Sequence, residues 1–103
     1  IKNNTRSRKA LAVGDVVDKI AQYYNIDAKS IYEKKRRKEV VRPRQLIMFI
    51  LREDFGVSYP AIGQKLGGRD HTTVIHSCEK IREEVNNGGE FAEELNHIRN
   101  LLR

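Results

Sequence analysis

SYPAIGQKLGGRDHTTVIHSCEKI, Ser58 to Ile81, holds two helical patterns separated by a glycine pair. Ser58 can cap a short helix, Pro60 suits its first turn, and Gly67 falls just past its end. A second helix opens near Asp70. Its apolar residues Val74, Cys78, Ile81 and Val85 lie within about 60° of one another, so they face a core. Thr72, His76, Glu79 and Glu83 take the far side. A short helix, a tight turn over about Gly67 to Arg69, and a helix with a polar first turn make a helix-turn-helix plan.

The same stretch holds the only cysteine and two of the three histidines, so other chemistries must be weighed. Two ligands for one metal ion need i, i+4 spacing on a helix. His71 and His76 are five apart, about 140° around the axis, and Cys78 is about 200° from His76. No second cysteine completes a zinc set. A Cys–His nucleophile pair fails on the same angles. No GxxxxGK[ST] phosphate loop occurs. The expectation is no metal and no enzyme, with Cys78 a small buried apolar residue.

Working outward, Val13, Val16, Val17, Ile20, Ala21 and Tyr24 recur at helical spacing. Asp27 can cap a short helix, with Ile26 and Ile31 placed as a hydrophobic staple. EKKRRKEVVRPRQ then carries the peak of positive charge, and Pro43 suits the first turn of a third helix that runs to about Asp54. Leu46, Ile47, Ile50 and Leu51 form its expected buried stripe, with Arg44, Gln45, Met48 and Arg52 opposite. Asn86-Asn87-Gly88-Gly89 breaks the chain before a last helix marked by Phe91, Leu95, Ile98 and Leu102. No segment alternates with period two, and no repeat or low-complexity tract occurs. The predicted fold is all-α, a bundle of about six helices containing the helix-turn-helix.

The 103 residues, 39% hydrophobic and 33% charged, fit one domain with a modest core. No apolar run approaches a membrane span, and the polar, basic start shows no signal peptide. A lone cysteine points to a reducing, cytoplasmic setting. The chain does not begin with methionine, its only Met being Met48, and it reads as a domain cut from something longer. Net charge is +6, unevenly placed. Residues 1–80 carry 17 basic and 9 acidic side chains, whereas residues 81–103 carry 3 and 5. A basic body with an acidic tail predicts a polyanion docking on one face.

The exposed chemistry favours duplex DNA. Thr methyls and an imidazole edge can pack on thymine methyl groups, and Asp can accept from cytosine N4 in the major groove. Asp70 can equally serve as a helix cap, or do both. Arg44, Gln45 and Arg52 share a face suited to phosphates. Lys34 to Lys38 is either a solvated charge run or a cationic loop suited to a narrow A·T minor groove.

GGRDHTTVIHSCEKI, preceded by VVRPRQLIMFILRED and SYPAIGQKLGG, closely resembles the signature of the bacterial DnaA replication-initiator family, over about Asp15 to Leu102. The resemblance implies that family's C-terminal DNA-binding domain, a helical bundle related in plan to the Trp repressor. Residues 1–14 would then end a connector from an upstream ATPase domain, and 15–103 would be the DNA-binding domain. ATP belongs to that upstream domain, so no cofactor is expected here. By resemblance, Arg36 enters the minor groove, Asp70, His71 and Thr72 meet bases in the major groove, and Arg44, Gln45, Arg52, Pro60 and Thr73 lie along the backbone. Ser77 and Val41 stand where alanine is more usual.

The expected function is sequence-specific binding of replication-origin DNA at boxes related to TTATCCACA, in the cytoplasm on the nucleoid. Further expected partners are other copies of the initiator through domains outside this chain, regulatory proteins that occlude the DNA face and, weakly, acidic membrane lipids. Two alternatives compete. One is a helix-turn-helix transcription regulator of other operators. The other is a membrane-surface or protein-docking module that uses Ile1 to Lys19 as a basic amphipathic segment.

Overall fold

The structure, a computed structural model, describes residues 13–33 and 38–102. Among these residues there are six α-helices and no strand. They are α1 (Val13–Tyr24), α2 (Ala28–Tyr32), α3 (Lys38–Glu53), α4 (Tyr59–Lys65), α5 (His71–Asn86) and α6 (Glu90–Leu101). The all-α bundle is as the sequence predicts. Among the described residues, no helix is long and apolar enough to cross a membrane. Residues 1–12, most of the predicted connector, lie outside the described residues, and Val13 and Gly14 already belong to α1.

Local signals place most of the ends. Asp27 caps α2 by accepting from the Lys29 amide at 3.1 Å, while Ile31 is fully buried and Ile26 packs against the core. Ser58 caps α4, accepting from the Ala61 amide at 3.3 Å, with Pro60 in the first turn. Val16, Val17, Ile20 and Ala21 of α1 are buried, as are Leu95 and Ile98 of α6.

The third helix departs from expectation twice. It already includes Lys38, so Pro43 sits inside it rather than in its first turn. It is also the central rod of the bundle, packed by α1, α2, α4 and α5. Burial therefore extends beyond the predicted stripe to Val40, Pro43, Arg44, Met48 and Phe49. Met48 and Arg44, read as solvent-facing, are only 1% and 7% exposed. A helix surrounded by neighbours shows no clean amphipathic stripe.

The turn between α4 and α5 fixes the helix-turn-helix. Leu66 ends α4 and is fully buried, and the Arg69 amide donates to the Gly63 carbonyl at 2.7 Å. A methyl group at Gly63 would collide with the Arg69 carbonyl oxygen, so only glycine lets the turn close this tightly on α4. Gly67 has φ +94, and a Cβ there would collide with the Tyr32 carbonyl at the end of α2. The turn is therefore pressed against α2 as well as α4.

Candidate nucleic-acid interface

Asp70 occupies the N-cap of α5 with extended backbone (φ −64, ψ 140), but its side chain makes no capping hydrogen bond. The carboxylate instead lies 3.8 Å from His71 Nδ1, and both side chains are more than half exposed. Thr72 and Thr73 are exposed too. The first intrahelical bond runs from the Val74 amide to the Asp70 carbonyl at 3.3 Å, so the amides of the first turn have no intrahelical acceptor. This end of α5 thus combines free N–H groups, the positive pole of the helix dipole and four outward polar side chains. Behind it, Val74, Cys78 and Ile81 are fully buried. Burial pushes the Cys78 thiol up to about 11, which leaves it protonated and inert at neutral pH. Among the described residues, no group of three His, Cys, Asp or Glu side chains is arranged to hold a metal ion.

A groove of about 410 Å³ runs between α3 and the first turn of α5, lined by Val41, Arg44, Gln45, Met48, Arg69, Thr73 and Ser77. Three of the predicted backbone-contact residues, Arg44, Gln45 and Thr73, therefore meet in one depression. Two turns along α3, roughly 10 Å away, Arg52 stacks on the Tyr59 ring with its guanidinium carbon 4.4 Å from the centroid. Pro60 is exposed beside it. Arg36 lies outside the described residues.

Arg44 is placed differently from the expected open phosphate face. Its Nε donates to the Ile31 carbonyl at 3.0 Å, and its Nη2 donates to the Ser30 and Glu33 carbonyls at 2.9 and 2.8 Å. The side chain closes the C-terminal end of α2 while also lining the groove. Burial first, and then the neighbouring Arg69 charge, draw its pKa below the ordinary range, with Glu33 opposing.

A family model described as "Bacterial dnaA protein helix-turn-helix" matches residues 13–81, well over half of the chain. The chain belongs to the bacterial DnaA helix-turn-helix family. The chromosomal replication initiator protein DnaA of Roseiflexus castenholzii is 38% identical over 99 residues, covering 96% of this chain and 21% of that protein. DnaA of Wolbachia sp. subsp. Brugia malayi is 34% identical over 103 residues, covering 100% of this chain and 22% of that protein. The chain thus spans about a fifth of the length of these DnaA relatives. A crystal structure described as a DNA replication initiation factor has the same fold, with a TM-score of 0.80 at 24% identity, covering 98% of this chain and 30% of that one.

Within this DnaA-family domain the described arginines sort into two sets. Arg42, Arg82 and Arg99 pair with Glu84, Glu53 and Asp54. Arg44, Arg52 and Arg69 form no ion pair with a carboxylate among the described residues. Two of these line the groove and the third flanks the start of α4. Arg69 is the member that sequence reasoning passed over. Its only sequence signal is a cation between two glycines and the Asp70 cap, which says nothing of where the side chain goes.

Proposed function

We propose that this domain binds duplex DNA sequence-specifically at replication-origin boxes related to TTATCCACA and so holds an initiator at the origin. The observation that carries this reading is the segregation of unpaired arginines. Among the described residues, the three arginines with no carboxylate partner lie at the groove and the flank of α4, whereas the other three are paired. Such a surface is suited to a polyanion.

In this reading α5 enters the major groove by its first turn. Asp70, free of capping, accepts from cytosine N4, and His71 and Thr72 pack on thymine methyl groups. Thr73, Gln45, Arg52 and Pro60 lie along the phosphates, and Arg44 reaches the backbone from the groove wall. Arg36 reads the narrow A·T minor groove, a role taken from the family resemblance.

The test is a fluorescence-anisotropy titration of this chain with a duplex carrying the box and with a permuted duplex of equal composition, across a salt series. The expected preference for the box is on the order of 10³-fold. Arg52→Ala should lower the salt slope by about one without altering that preference. Equal affinity for the two duplexes would overturn sequence-specific binding.

A further inference from the structure

Arg52, near the end of α3, is partly exposed and forms no ion pair among the described residues. The two carboxylates that follow it in the chain are engaged elsewhere, Glu53 by Arg82 of α5 and Asp54 by Arg99 of α6. What holds Arg52 is the first residue of α4. Its guanidinium carbon lies 4.4 Å from the centroid of the Tyr59 ring, and its Nη1 donates to the Val57 carbonyl at 3.5 Å. The ring is itself anchored, because Tyr59 packs against the core. Its hydroxyl faces Arg82: the Glu53 bond raises the Arg82 pKa, burial opposes it, and the Tyr59 hydroxyl raises it further.

We propose that Tyr59 is a positioning residue for DNA binding, whose ring face holds the Arg52 guanidinium ready for a phosphate at the flank of α4. The proposal rests on the reading above, which places Arg52 and Pro60 along the DNA backbone. A carboxylate would also hold the side chain, but it would offset the charge and occupy the donors that a phosphate needs. A ring face attracts the cation and leaves its charge and most of its N–H donors free. An arginine that docks on a phosphate gives up the rotamer freedom of a long side chain. A partner that has already restricted it removes part of that cost. The site is also open to a ligand, since Pro60, next to the ring in the chain, is exposed. Arg82 completes the arrangement by engaging Glu53, the carboxylate nearest to Arg52 in sequence.

The test titrates the box duplex and the permuted duplex with wild type, Tyr59→Leu, Tyr59→Phe, Arg52→Ala and the Arg52→Ala/Tyr59→Leu double variant, with melting measured alongside. Tyr59→Leu should weaken both duplexes alike by about three- to fivefold, the size of a partly exposed cation–π contact. Its box preference and salt slope should stay those of wild type, because the charge is still present, whereas Arg52→Ala lowers the slope by about one. Tyr59→Phe keeps the ring face and should restore wild-type affinity. In the Arg52→Ala background, Tyr59→Leu should cost nothing further, which a general weakening of the fold would not reproduce. If Tyr59→Leu fails to fold, Tyr59→Met, a flexible filler without a ring face, takes its place. Wild-type affinity in the folded Leu or Met variant would overturn the proposal. So would an equal loss in the Arg52→Ala background, or a loss in Tyr59→Phe as large as in Tyr59→Leu. Failure of the underlying reading looks different: Arg52→Ala would bind as wild type does, or wild type would not bind duplex DNA.

Discussion

Asp70 stands where an aspartate usually bonds to the amides of the following turn, yet its carboxylate is turned outward beside His71. A capping aspartate and a base-reading aspartate have separable signatures. Removing a cap costs stability, typically about 1 kcal/mol, whereas removing a base contact costs about 1–3 kcal/mol of discrimination at one or two base pairs. Asp70→Ala is therefore expected to melt close to wild type and to relax preference at the cytosine. Unaltered discrimination in a folded variant would assign Asp70 to the cap alone. Cys78 gives a second test at this scale. Its pKa is raised from the ordinary 9.0 to about 11 by burial, so the folded state holds its proton more tightly than the unfolded state does. The resulting stability is fully present below pH 9 and is lost as pH rises toward 11. Native protein should resist thiol alkylation at pH 8, and its denaturant midpoint should fall above pH 9. Alkylation at the rate of an exposed thiol would contradict this burial.

Helices are where the sequence was most and least legible. The α4–turn–α5 unit was readable because its signals are local: Ser58 caps three residues ahead, Pro60 sets a first turn, and the Val74, Cys78 and Ile81 stripe faces the core. The third helix is least legible because its environment is not local. Four other helices pack around it, so Met48 and Arg44 are buried although their angular positions match those of Gln45 and Arg52. The position of Arg69 was invisible for the same reason, since one of its two acceptors lies 36 residues earlier in the chain. Arg44 is thus tied first to α2. Arg44→Ala removes a donor from the Ser30, Ile31 and Glu33 carbonyls at a partly buried helix end, leaves the buried Ile31 bond unmade, and should destabilise the domain by about 1–3 kcal/mol. Chemical denaturation measures this directly. Full stability with lost DNA binding would instead make Arg44 purely a phosphate contact.

For the molecule as a whole, charge placement links the fold to its role. Ion pairs join α3 to α5 through Arg42–Glu84 and Arg82–Glu53, and the Arg99–Asp54 pair ties α6 to the end of α3. Those pairs consume arginine charge away from the groove. Arg44 and Arg69, which pair with no carboxylate among the described residues, line the groove beside the open end of α5, and Glu90, Glu93 and Glu94 lie on the last helix. The groove arginines and the open first turn of α5 together form a face suited to a polyanion. The central claim is that this face reads base sequence and does not merely attract phosphate. Selection from a pool of random duplexes, at a salt concentration that suppresses non-specific binding, tests it most directly. The expected result is enrichment of one asymmetric site with an A·T-rich end and a cytosine-containing end, related to TTATCCACA. Retention of DNA with no enriched sequence, or enrichment of an unrelated operator, would contradict it.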